Sequence, residues 1–270
     1  MDPVSDMDDS RAATDALLAG LRRGPLNPQA TMRFLGRAAH RSLRQAARRP
    51  AALAELTALH AVLFTLAAGR RPGRCWVSIS WALCVTHLGL LEGRTHLSAA
   101  DVLTLIRANL PALPGGASRW SGALAIASDL ADGRLARHRG TASPFGDYAD
   151  TFADAAFWTW LTLTHEPSRP LRAAAIAAWA LPITTVTAIA IHHGTMPERP
   201  RPTLLRPAAA MQAVVAVRHL LRRSLPASGP HTAPVLVPLS GAGSGVPSIR
   251  TPCQKATWSL NLRARGLGLG

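Results

Sequence analysis

The chain has 270 residues, 48% of them hydrophobic, and a net charge of +15 that comes almost wholly from arginine, Lys255 being the single lysine. A charge of that size calls for an anionic partner, nucleic acid or a lipid surface; with long apolar runs and no aromatic platform or groove-reading motif beside the arginines, the reading is lipid and not nucleic acid. Cys75, Cys84 and Cys253 make neither a C-x-x-C pair nor a zinc spacing, which leaves reduced thiols with no special role.

Residues 1 to 15 hold Asp2, Asp6, Asp8, Asp9 and Asp15 with no apolar run behind a basic start. That is the reverse of a secretory signal peptide and predicts a disordered cytosolic tail. Residues 16 to 50 hold no acid and eight arginines. Arg33, Arg37, Arg41, Arg44 and Arg48 share one helical face and Met32, Leu35, Ala39, Leu43 and Ala46 the opposite one, the pattern of a helix on an anionic membrane surface or of a solvated basic helix. Two apolar runs follow, 51 to 69 and 75 to 91, each approaching the roughly 20 residues that cross a bilayer. With Arg70, Arg71, Pro72 and Gly73 breaking the pattern between them, they predict a helical hairpin, with Trp76 at an interface and His60 and His87 packed rather than ligating.

Residues 95 to 107 begin another helix, stopped by Pro111, Pro114 and the pair Gly115 and Gly116. The next is expected over 118 to 131 and delivers Asp129 and Asp132 to its end. The stretch from 129 to 154 holds five of the fifteen carboxylates. Asp129 and Asp132 stand three apart and Asp150 and Asp154 four apart, so each pair projects from one helical face. Between the pairs, Thr141, Ala142, Ser143 and Pro144 break the helix, with Ser143 placed as N-cap and Pro144 as first helical residue. Two acidic faces that converge suit a divalent cation, and hard oxygen donors without cysteine favour Mg2+ or Mn2+ over zinc. Gly133 and Ala136 leave bare backbone for a ligand, Arg137 offers a fork to phosphate oxygens, and Gly146 opens the following helix in the same way. That helix continues through Phe157, Trp158 and Trp160 to about Thr164.

After a polar break at 165 to 169, residues 171 to 191 make the most convincing membrane span, with a kink expected at Pro182 and with His192 and His193 interfacial at its end. A loop with Arg199, Arg201 and Arg206 leads to a fifth apolar segment, 207 to 221. After Arg222 and Arg223 the chain becomes a tail rich in Pro, Gly and Ser over 227 to 270.

Asp129, Asp132, Gly133, Ala136, Arg137, Gly146, Asp150 and Asp154 match in full the signature D-x-x-D-G-x-x-A-R-x8-G-x-x-x-D-x-x-x-D, and on these residues the chain resembles the CDP-alcohol phosphotransferase family. The resemblance implies an all-α, polytopic helical membrane protein that releases CMP from a CDP-linked lipid or alcohol and joins the phosphoryl group to an acceptor alcohol in phospholipid biosynthesis. It implies two metal ions, Mg2+ or Mn2+, held by Asp129, Asp132, Asp150 and Asp154, with Gly133, Ala136, Arg137 and Gly146 against the CDP moiety and Asp154 as the base. Leu103, Thr104 and Arg107 fit the Leu-Thr-x-x-Arg segment at the entry to the family's first core helix. Arg201 and Arg206 are candidates to meet the acceptor or phosphate, or serve the positive-inside rule. The expected organisation is a cytosolic arm over 1–50 with the basic helix, an extra membrane hairpin over 51–98, the membrane core over 99–225 and a disordered tail over 226–270. A sixth core helix and a basic residue in place of Ala155 are family features that this chain lacks.

The site faces the cytoplasm on this reading, in a bacterial cell membrane whose lipids are themselves partners, and a homodimer is compatible with it. Charge supports the cytosolic placement of the loop near 200 and opposes the placement of Arg70, Arg71 and Arg74 outside. Two other classes stand beside the enzyme: an intramembrane divalent-cation transporter, which needs the acids but not Gly133, Ala136 and Arg137, and a non-catalytic scaffold derived from the family.

Overall fold

The computed structural model describes residues 7–22, 28–196 and 202–221, with side chains described from 207 in the last of these. Every regular element among them is helical: α1 (Ser10–Arg22), α2 (Pro28–Ala47), α3 (Pro50–Leu66), α4 (Arg71–Thr86), α5 (Ala99–Asn109), α6 (Ser121–Arg139), α7 (Pro144–His165), α8 (Arg169–His193) and α9 (Pro202–Leu221). The expected tail after Arg223, Arg201 and Cys253 lie outside the described residues, as does the side chain of Arg206.

α5 is the centre. Its eleven residues rise about 16 Å, too little to cross a hydrocarbon core of about 30 Å. A capping box starts it: Ser98 Oγ accepts from Asp101 N at 3.1 Å and Asp101 Oδ2 accepts from Ser98 N at 2.7 Å. Leu105 is buried with Leu56 of α3, Cys84 of α4 and Phe145 and Ala149 of α7. The α3/α4 hairpin therefore packs directly on the helices that carry the acidic stretch.

Several local expectations change. Residues 10 to 15, expected to be disordered, form the first part of α1, because Asp9 Oδ1 accepts from the N–H groups of Arg11 and Ala12 and Ser10 Oγ donates to Glu92 Oε1 at 2.6 Å. The break before α4 is at Gly69, with φ of 81°, while Arg71, Pro72 and Gly73 are already helical, as suits proline in a first turn. Trp76 is half-buried, and its Nε1 donates to Ala108 O at 2.9 Å. His60 is buried and bonded to Leu56 O and Ser80 Oγ.

α2 presents three faces. Phe34, Arg41 and Gln45 lie toward the protein, Met32, Leu35 and Leu43 are exposed, and Arg33, Arg37 and Arg44 are exposed beside them. α1 is fastened to the end of α8: Asp15 Oδ1 accepts from Met196 N at 2.6 Å and Arg22 Nη1 donates to His193 O at 2.7 Å. α8, with 25 residues and Pro182 inside it, is the one described helix long and apolar enough to cross a membrane. Pro50–Leu66 and Pro207–Leu221 are shorter apolar helices. Large apolar side chains such as Ile79, Leu124, Leu163, Leu181 and Val217 face outward.

Candidate active site

α6 and α7 bring the acidic pairs together through the turn that separates them. α6 does not stop near Asp132 as expected but runs on to Arg139, since Leu135, Ala136 and the straight-chain arginines favour helix and the first effective stop is Gly140, left-handed at φ 61°. Asp129, Asp132, Gly133, Ala136 and Arg137 thus share one helix. Ser143 caps α7 by accepting from Gly146 N at 3.1 Å, and Pro144 is its first residue, as expected. Arg94 fixes the turn to the start of α5: it donates to Thr141 O and Ser143 Oγ, both at 3.0 Å, and to Asp101 Oδ2 at 2.6 Å.

A cleft of about 340 Å³ opens here, and its walls include Asp129, Asp132, Gly133, Ala136, Arg137, Gly146 and Asp150. Asp129, Asp132 and Asp150 each offer an oxygen within 4.8 Å of the others. An all-carboxylate donor set of this kind fits Mg2+ or Mn2+. Asp154 stands outside that trio; its Oδ2 accepts from Gln212 Nε2 of α9 at 3.0 Å. Asp132 is the most enclosed of the four, with its side chain 7% exposed and its Oδ2 accepting from Thr104 Oγ1 at 2.7 Å.

The small residues are tight for different reasons. A Cβ on Gly133 would come within 3.2 Å of Arg137 Nη1, so the missing side chain lets that guanidinium fold back over the helix. A Cβ on Gly146 would meet Asp101 Oδ1 at 3.3 Å, so the space at this glycine is bounded by the α5 cap. Asp101, Thr104, Arg107 and Gln212 border the acidic pairs, and spacing alone assigns them no role there. Thr104 and Arg107 are marked in the sequence by the Leu-Thr-x-x-Arg segment, whereas Asp101 and Gln212 show only as polar side chains within otherwise apolar helical runs.

Residues 116–238 match the family described as CDP-alcohol phosphatidyltransferase. This match to a CDP-alcohol phosphatidyltransferase domain covers somewhat under half of the chain. No curated protein and no solved structure matches the chain significantly. The domain implies transfer of a phosphatidyl-type group from a CDP-alcohol in phospholipid synthesis, by a family that uses divalent metal ions. Its matched residues hold α6 to α9 and the whole acidic signature, whereas α5 precedes them. Together with the apolar α8, the family points to a membrane protein.

Proposed function

We propose that the chain is an integral, multi-pass membrane transferase that takes a CDP-linked lipid or alcohol, releases CMP and joins the phosphoryl group to an acceptor alcohol at a site facing the cytoplasm. The observation that carries this is the convergence of Asp129, Asp132 and Asp150 on one cleft whose wall is Gly133, Ala136 and Arg137. Asp129, Asp132 and Asp150 would hold the metal, with Asp154 contributing from the next turn of α7. Held there, a divalent cation would supply charge to neutralise the diphosphate and to polarise the phosphorus.

The chain's own groups divide the remaining work. Arg137 binds diphosphate oxygens as a planar fork. Gly133 and Ala136 let the nucleotide approach backbone, and Gly146 leaves the opposite wall low. Asp154 takes the acceptor hydroxyl's proton: it lies apart from the close trio, and Gln212 holds one of its oxygens in a fixed direction. Arg201 and Arg206 remain candidates to meet the acceptor or phosphate. A cation path is disfavoured, because Arg107 and Arg137 add fixed positive charge at the same carboxylates.

The test is CMP release from a CDP-linked lipid by the purified protein, with a panel of acceptor alcohols, beside divalent-cation flux in liposomes. Acceptor-dependent CMP release supports the transferase. Flux without CMP release would reject it.

A further inference from the structure

The metal reading leaves one side chain unused. Arg107 of α5 is fully buried and reaches every carboxylate of the signature: Nη1 lies 2.9 Å from Asp132 Oδ2 and 3.2 Å from Asp129 Oδ1, Nη2 is hydrogen-bonded to Asp150 Oδ1, and Nε lies 3.7 Å from Asp154 Oδ1. It also precedes the matched residues of the domain, so the family match assigns it nothing.

Two consequences follow from charge and geometry. A single guanidinium among four carboxylates leaves the group strongly negative, so divalent cations are still attracted. Yet Asp132 and Asp150, two of the three residues whose oxygens gather within 4.8 Å, already give an oxygen to Arg107. A second cation held by the trio must either share those oxygens or sit beside a fixed positive charge. Arg107 Nε has no hydrogen-bond partner although it is buried, so the guanidinium is not locked on all its edges.

We propose that Arg107 is a built-in competitor of the divalent cation, a positioning residue that gathers the four carboxylates by its own charge and yields oxygens of Asp132 and Asp150 as metal is taken. This rests on the metal reading above. Removing the guanidinium therefore tightens metal binding while loosening the protein that has no metal to replace it. A residue that merely filled space would do the second and not the first.

The experiment is Mn2+ titration by calorimetry on the full chain in detergent micelles, for the unmodified protein, Arg107→Gln and Arg107→Lys, with thermal melting of each in EDTA and in Mn2+. Arg107→Gln is expected to lower the Mn2+ dissociation constant about tenfold or more, the scale of one lost charge-assisted hydrogen bond. It is also expected to melt lower in EDTA and gain more from Mn2+ than the unmodified protein. Arg107→Lys keeps a charge without the fork, should fold where the glutamine variant does not, and is expected to tighten Mn2+ binding by a smaller factor. Unchanged or weaker Mn2+ binding in the folded variants overturns the competition alone. Absence of Mn2+ binding in all three proteins overturns it together with the metal reading.

Discussion

At the scale of single residues, the two acidic pairs differ in what surrounds them, and this separates their roles. Asp132 is enclosed, bonded to Thr104 and Arg107, and lies directly before the bare backbone of Gly133. Asp132→Asn is expected to impair both metal and CDP binding. Asp154 stands outside the close trio with Gln212 on one oxygen. Asp154→Asn is expected to keep CDP binding and lose turnover by about 100-fold to 10,000-fold, because an amide cannot take the proton. Calorimetry with CDP beside CMP release at saturating Mg2+ checks both variants. Near-normal turnover in Asp154→Asn rejects the base assignment, and equal loss of CDP binding in both variants makes Asp154 a metal ligand first.

At the scale of elements, α5 organises the site although it is too short to span a membrane. Its polar side chains are tolerated in the interior because each has a partner: Asp101 has Arg94 and Ser98, Thr104 has Asp132, and Asn109 donates to Ser80 Oγ and Leu105 O. α9 reaches the site by a different route. A Cβ on Gly122 of α6 would come within 2.9 Å of Ala216 Cβ, so this glycine sets how closely α9 approaches and hence where Gln212 lies. Gly122→Leu is expected to destabilise the protein by about 1–3 kcal/mol through overpacking. A lower melting temperature, partly restored by adding Ala216→Gly, checks the contact. A variant that melts like the parent would show that α9 does not depend on it. Farther along α9, Arg218 holds the buried Glu166 with two hydrogen bonds at 3.0 and 3.1 Å, which ties its far end to the α7–α8 turn.

For the whole molecule, the proposed site has only carboxylate metal ligands, so activity is expected to vanish in EDTA and return with Mg2+ or Mn2+. Full CMP release by the metal-stripped protein would remove the metal from the proposal. The fastening of α1 to the end of α8 also bears on orientation, since Asp15 and Arg22 place the N-terminal arm beside His193 and Met196. If the site is cytosolic, Ala12→Cys and Thr195→Cys are both expected to react with a membrane-impermeant maleimide only after the cells are opened. Background labelling is read from the parent, which keeps Cys75 and Cys84 as free thiols. Labelling of both positions in intact cells would invert the orientation, and labelling of one would contradict the packing of α1 on α8.

What the sequence determined by itself was local. The acidic spacing, the Ser143 cap, Pro144 as first residue of α7 and the apolar run of α8 are set by neighbours within a helical turn or by runs of composition, and both are legible in one dimension. In one dimension the acidic motif looks like the end of α6, while the physical terminator is Gly140. Residues 10 to 15 look like a tail in one dimension because their anchors, Glu92 and Met196, are far along the chain. Only the tertiary structure decided that Arg107 enters the acidic cluster, from 25 residues before Asp132 and 43 before Asp150. No periodicity records such a partnership. It arises because burial of α5 between α6 and α7 takes its arginine out of water, and a guanidinium so placed is stable only against carboxylates that come from other helices.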